Sequence, residues 1–442
     1  MLSVLRNRTY RHLFAAQVIA LVGTGLATVA LGLLAYDIAG ADAGSVLGTA
    51  LAIKMTAYVV IAPAIGAVAD RLPRRALLVG SDLTRAGVAL CLPFVDQVWQ
   101  VYVLIFLLQS ASAAFTPTFQ AVVPDVLPAE RDYTQALSLS RLAYDLESLF
   151  SPALAAALLS LITYNWLFLG TVAGFLASAT LVLSAVLPKP LTASAPRGDG
   201  VYAKATAGTR LFFATPQLRA LLVLNLAVAA ASAMVTVNTV VYVRDQLARG
   251  AADVSLALGA YGAGSMVVAL LLPRVLDRAS DRTVMLSGAL LLTVVFAGLG
   301  AVTAVGSWPA LLLTWAAFGA ACSMVLTPTG RLIRRSAPPE ERTQAFAAQF
   351  SLSHSCWLLT YPLAGWLGAA AGLQAAVIAL GAIALTAGLL ALRLWPARVR
   401  TPDEHEHTGL YDDHPHLADA VRVGSGWRHS HSRLADGLHA HP

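Results

Sequence analysis

Apolar runs of about 20 residues or more, parted by short polar turns, repeat along most of the chain, and a helix of that length spans the hydrocarbon core of a bilayer. Twelve such runs can be drawn, at 12–36, 45–69, 76–96, 98–122, 134–162, 165–187, 217–243, 253–275, 283–304, 308–333, 343–370 and 373–395. The rhythm breaks once near the middle, where Pro188, Pro190, Pro196 and Gly198-Asp-Gly200 interrupt it. Residues 188–216 therefore read as a cytoplasmic linker between an N-terminal bundle, 1–187, and a C-terminal bundle, 217–396. After Trp395 the apolar pattern ends, and residues 397–442 read as a polar, disordered tail. The expected fold class is an all-α integral membrane protein with twelve transmembrane helices in two six-helix bundles.

The two bundles echo one another. Phe115-Thr-Pro-Thr118 recurs as Leu326-Thr-Pro-Thr329, and Thr134-Gln-Ala-Leu137 recurs as Thr343-Gln-Ala-Phe346. A shift of 208 aligns Gln17 with Asn225 and Asp37 with Asp245, and Asp277-Arg278-Ala-Ser-Asp281-Arg282 weakly echoes the region of Arg71. Four matches in the same order point to a duplication, which predicts pseudo-symmetric halves with a site between them near mid-membrane.

Charge fixes the orientation. The 442 residues are 57% hydrophobic and 12% charged, with a formal net charge of +6. Soluble domains carry about twice that charge fraction. The basic residues gather in alternate connections, at Arg71/Arg74/Arg75, Arg131, Lys189 through Arg219, Arg274/Arg278/Arg282 and Arg331 through Arg342. Short translocated loops avoid Lys and Arg, so these connections and both termini are expected in the cytoplasm. The positive charge thus serves topology, and no nucleic-acid partner is expected. Cys91, Cys322 and Cys356 all fall within apolar runs and imply no disulfide framework. The first span is too long for a signal-peptide core and lacks a cleavage site, so it is expected to remain as a helix. No nucleophile–base constellation, phosphate loop or zinc-protease motif is present, so an enzyme is not expected.

Ionisable groups inside spans are costly and need a reason. Lys54 has no obvious partner in sequence, whereas Asp82 and Arg85, three apart, can pair with each other or with the 66–78 loop. The fifth span holds Arg141, Asp145 and Glu147. Arg141 and Asp145 suit an intrahelical ion pair, and Glu147 points about 200° away from Asp145. A repeat shift of 209 maps Asp145 onto His354 and Glu147 onto Cys356 in the eleventh span. Carboxylate, imidazole and thiolate can ligate a borderline divalent metal or carry protons, so these four are the candidate cargo or proton site. Cys322 and Met324 could add soft ligands, although such residues in an apolar helix are usually packing.

Eight of the ten histidines lie in the tail as His-x-His pairs, His405/His407, His414/His416, His429/His431 and His439/His441. In an extended chain residues two apart fall on one side, so neighbouring imidazoles can chelate one ion. With Asp403, Glu404, Glu406, Asp412 and Asp413 nearby, the ligand set suits nickel, cobalt, zinc or copper, held with modest affinity because the segment must be ordered on binding.

The stretch Gly66-x-x-x-Asp70-Arg71-x-x-Arg74-Arg75-x-x-Leu78 resembles the loop between helices 2 and 3 of the major facilitator superfamily, with Pro73 where that family often has Gly. The resemblance implies that Asp70 and Arg71, with Arg74 and Arg75, form a charge latch closing the cytoplasmic side. With its tail the chain is similar to the superfamily's bacterial nickel-resistance exporters. The opening Leu5-Arg-Asn-Arg-Thr-Tyr-Arg-His-Leu-Phe14 and Val123-Pro-Asp-Val-Leu-Pro128 are shared with siderophore and macrolide exporters, and only the tail speaks for metal. The fourth span lacks an obvious Arg of the kind drug–proton antiporters carry there. The resulting expectation is proton-coupled export of a divalent metal, nickel first and cobalt second, by a monomer in the bacterial inner membrane. Its partners are lipid, the metal ion as cargo and protons, with no cofactor. Export of a siderophore, macrolide or other organic molecule is the alternative, and a metal sensor without flux is a third.

Overall fold

In the computed structural model, which describes residues 2–39, 43–68, 72–188, 201–395, 403–407, 421–423 and 426–431, the chain is helical up to Trp395. The first half contributes α1 (Arg8–Ala39), α2 (Ala43–Val68), α3 (Arg74–Cys91), α4 (Val98–Val126), α5 (Glu130–Leu159) and α6 (Tyr164–Ser184). A shorter α7 (Val201–Ala214) leads into α8 (Pro216–Val241), α9 (Ala251–Leu276), α10 (Asp281–Val305), α11 (Trp308–Leu326), α12 (Thr329–Ser336), α13 (Arg342–Ala371) and α14 (Leu373–Leu394).

Local chemistry explains the ends. Gln97 and Gln100 close a capping box at the start of α4, and the Ser280 hydroxyl accepts the Thr283 N–H at the start of α10. Gly306 ends α10 in the left-handed region, φ 68°, which glycine enters without strain. The repeated Thr-Pro-Thr behaves differently in the two halves. Pro117 lies within an unbroken α4, whereas Pro328 separates α11 from α12.

Among the described residues ten spans are long and apolar enough to cross a membrane, α11 and α12 counting together. The remaining long helices are α5 and α13, each of 30 residues. They occupy corresponding places in the repeat, and both trade apolar residues for polar ones: Arg141, Asp145 and Glu147 in α5, Gln344, Gln349 and His354 in α13. They complete a twelve-helix, all-α membrane fold. Across the halves α2 packs on α13 and α5 packs on α9, the same contact made twice under the repeat.

Close helix approach depends on small residues. A Cβ on Gly264 of α9 would overlap the Ala316 carbonyl of α11, and one on Gly319 of α11 would overlap the Tyr261 carbonyl of α9. Gly319→Leu should therefore force α9 and α11 apart and cost about 1–3 kcal/mol or more, read as a lower thermal unfolding midpoint in detergent. An unchanged midpoint would mean the two helices can separate freely.

Two sequence expectations need correction. Part of the 188–216 linker is regular structure: residues 201–214 form α7, which packs on α2 and α13 and buries Phe212. The Ala-rich run after Gly200 favours helix. The tail, expected to be disordered, holds β1 (Asp403–His407), β2 (Val421–Val423) and β3 (Gly426–His431) in an antiparallel sheet of order β1-β3-β2. The alternation His-Glu-His and Val-Arg-Val is the period-two pattern of a strand, which a reading by polarity alone passes over. This tail, 396–442, is a unit separate from 1–395.

Candidate functional site

One end of the bundle gathers the connections α2–α3, α4–α5 and α12–α13, and its arginines tie the halves together. Arg74 Nη1 at the start of α3 lies 2.5 Å from Asp125 Oδ2 near the end of α4, and Arg342 at the start of α13 reaches the other oxygen at 3.2 Å. Arg331 Nε of α12 sits 2.7 Å from Glu130 of α5 and 3.1 Å from Asp281 of α10. Arg335 pairs with the same two carboxylates, at 2.7 Å from Asp281. Arg331 also donates to the Thr134 hydroxyl at 3.3 Å, and Arg334 donates to the Pro128 carbonyl.

These joints are related by the repeat with their signs exchanged. At the start of α3 an Arg meets an Asp from α4; at the start of α10 an Asp meets an Arg from α12. The neighbouring arginines keep their sign: Arg75 donates to the Ala185 carbonyl after α6 at 2.7 Å, and Arg282 donates to the Trp395 carbonyl after α14 at 3.2 Å. Of the four expected latch residues, Arg74 and Arg75 thus have their partners on the page, whereas Asp70 and Arg71 lie outside the described residues. Sequence reading assigned Arg331 and Arg342 only to topology and missed Asp125, Glu130 and Asp281 as their partners. The doubled Pro, Glu and Arg clusters ahead of both Thr-Gln-Ala segments were the available signal.

Midway along α5 and α13 lie the expected cargo residues, in separate places. Asp145 is buried and pairs with Arg141 at 2.9 Å. Ser265 of α9 closes the pair into a triangle, donating to Asp145 at 2.6 Å and accepting from Arg141 at 3.1 Å. Behind it Tyr261, Ser232 and Cys322 share hydrogen bonds within electrostatic reach of Arg141. An α5 ion pair is therefore solvated by side chains of the other half.

Glu147 turns to the opposite side of α5, as its spacing from Asp145 requires. It bonds to Ser151, and a Cβ on Gly25 of α1 would come within 2.7 Å of it. Its electrostatic partner is Lys54 of α2, the span lysine that sequence left unpaired. Lys54 also lies within electrostatic reach of His354, and its ammonium sits 5.7 Å from the Tyr58 ring centre. His354 is walled by Tyr58, Phe350 and Trp357, with ring centres 4.7, 4.2 and 4.9 Å away. Its Nδ1 lies 2.6 Å from the Phe350 carbonyl, which can only accept. Nδ1 therefore donates, and a neutral His354 presents the lone pair of Nε2. Cys356 is buried, with its thiol turned back onto the Leu352 carbonyl at 3.4 Å.

So Glu147 and His354 meet through Lys54, Asp145 faces α9, and Cys356 joins neither group. Among the described residues no three His, Cys, Asp or Glu side chains assemble as a metal-holding set. The tail histidines 414, 416, 439 and 441 lie outside the described residues. Asp82 and Arg85 pair with each other in a structural site, where Asp82 accepts from Ser178 at 2.7 Å. The Arg85 guanidinium lies between Phe115 and Phe175, 4.4 and 4.5 Å from their ring centres. Two mid-membrane polar groups, each at a contact between halves, can bind protons or a cation and can be broken and remade as the halves move.

Comparison with known proteins agrees with this architecture. The human organic anion transporter MFSD10 superposes with a TM-score of 0.75 at 16% identity, covering 87% of this chain and 99% of that one. A bacterial homologue of the iron transporter ferroportin superposes with a TM-score of 0.70 at 15% identity, over 87% and 99% of the two chains. In sequence the chain is 30% identical to macrolide efflux protein A of Enterococcus faecalis over 153 residues, 32% of this chain and 47% of that protein, so the match spans about half of the relative's length. The model of the Major Facilitator Superfamily matches residues 13–248 and 221–429. With twelve long helices, a duplicated half and matches over most of its length, this chain belongs to the Major Facilitator Superfamily of membrane transporters.

Proposed function

We propose that the chain is an efflux permease for a divalent transition metal, nickel first and cobalt second, driven by proton antiport across the bacterial inner membrane. The positive-inside rule puts the arginine-rich end and both termini in the cytoplasm. The halves rock about the paired α2–α13 and α5–α9 contacts, and the ties among Asp125, Glu130, Arg331 and Arg342 hold the cytoplasmic end shut between turnovers. Asp70 and Arg71 join Arg74 and Arg75 in that latch. Asp145, Glu147 and His354 serve as cargo or proton ligands, and Lys54 exchanges its charge partner as Glu147 takes or releases a proton.

The observation that carries the metal reading is the run of His-x-His pairs after the last helix. The relatives named for macrolide efflux, and the lack of a three-ligand set within the described helices, favour export of an organic molecule as the second reading.

The test expresses the protein in a metal-sensitive bacterium and measures cell-associated nickel, cobalt and zinc, with and without residues 397–442. Metal export lowers nickel in cells carrying the full chain, and truncation reads the tail's share. Unchanged levels of all three metals, with altered macrolide or siderophore sensitivity, would establish the second reading instead.

A further inference from the structure

The strand register of the tail assembles a ligand set that no single His-x-His pair supplies. In the β1–β3 ladder Asp403 stands opposite His431, His405 opposite His429, and His407 opposite Trp427. Cross-strand partners and alternate residues of one strand share a face. Asp403, His405, His407, Trp427, His429 and His431 therefore occupy positions of one face, and Glu404, Glu406, Arg428 and Ser430 those of the other.

We propose that Asp403, His405, His429 and His431, a two-by-two block of this ladder, hold one divalent transition-metal ion. Directly opposite positions lie about 5 Å apart at Cβ, and successive same-face positions about 7 Å apart. That block is compact enough for three imidazoles and a carboxylate to converge on an ion with bonds of about 2.0–2.2 Å. Three nitrogens and one oxygen suit zinc, nickel, cobalt or copper rather than magnesium or calcium.

The opposite face fixes the register. Glu406 stands across from Arg428, an opposite-charge pair, and a slip by one residue would send every histidine of one strand to the wrong face. A three-stranded sheet this short is marginal by itself. An ion bridging β1 and β3, whose nearest ends are 19 positions apart in the chain, links metal binding to formation of the sheet. The site deepens the metal reading above, yet its binding is measured apart from flux.

The test uses the full chain in detergent with His414, His416, His439 and His441 replaced by alanine, dialysed to equilibrium against Ni²⁺, with Zn²⁺ and Mg²⁺ in parallel. One Ni²⁺ per chain is expected, with no comparable Mg²⁺ binding. His405→Ala and His429→Ala should each weaken binding about tenfold or more, and the double variant should fall no further than about twofold below the weaker single, because both serve one ion. Glu404→Gln, on the other face, should stay within about twofold of the parent, since it removes no ligand. Independent losses at His405 and His429, each removing its own ion, would overturn the cross-strand site in favour of separate local chelates. An equal loss in Glu404→Gln would overturn the face assignment. A chain that binds Ni²⁺ in this pattern but moves none in vesicles would retain the site and remove nickel export.

Discussion

Asp145→Asn is expected to abolish efflux. Asp145 offsets the Arg141 charge at 2.9 Å and receives the Ser265 hydroxyl from the opposite half at 2.6 Å. The amide keeps the shape but removes the charge, leaving Arg141 buried beside neutral partners. Breaking one side of such a pair costs about 3–5 kcal/mol, whereas replacing both partners by apolar groups of similar size is often nearly neutral. Asp145→Asn should thus lower the unfolding midpoint as well as stop transport. Arg141→Met combined with Asp145→Leu should recover the midpoint while leaving transport absent. Nickel retention in cells and thermal unfolding in detergent separate the two effects. A double variant that exports normally would make the pair a structural tie and remove Asp145 from the transport site.

The second large effect concerns the arginine-rich end. Only ties that break when that end opens can bias the opening equilibrium. Arg74–Asp125 and Asp281–Arg335 each lie within one half and survive opening, whereas Arg342–Asp125 and Arg331–Glu130 join the halves and do not. Glu130→Gln with Arg342→Gln should therefore loosen the gate without unfolding either half. The Glu130 side chain is 42% exposed, so its tie is largely screened. Together the two ties are worth about 2 kcal/mol, a shift of about 30-fold toward the open end.

Leu137→Cys gives a reporter, since Leu137 packs against Gly330 across the halves. In a background without Cys91, Cys322 and Cys356, labelling by a membrane-impermeant maleimide in inverted vesicles should accelerate by about that factor. An unchanged rate would show that these pairs do not hold the end shut.

The duplicated Thr-Gln-Ala segments and the apolar runs were enough to read a two-half, twelve-helix bundle, because a bilayer leaves a long apolar segment few options other than a helix. Helical spacing likewise read the Arg141–Asp145 and Asp82–Arg85 pairs, which lie within one helix, and separated Glu147 from Asp145. Partners supplied by another helix were not legible. Ser265 for Asp145, Lys54 for Glu147, and Asp125 for both Arg74 and Arg342 depend on which helix faces place side by side.

The repeat shift misled in one respect. It placed Asp145 with His354 and Glu147 with Cys356 as corresponding positions, and correspondence under pseudo-symmetry is not proximity. In the folded protein Asp145 lies against α9, while His354 lies against Tyr58 of α2. The sequence by itself determined the class, the span order and the side bearing the arginines, since hydropathy and charge act through the bilayer locally along the chain. Tertiary structure alone decided which charges meet across the halves and that His405 stands opposite His429, because pairing across distant segments is set by packing and register rather than by neighbours in sequence.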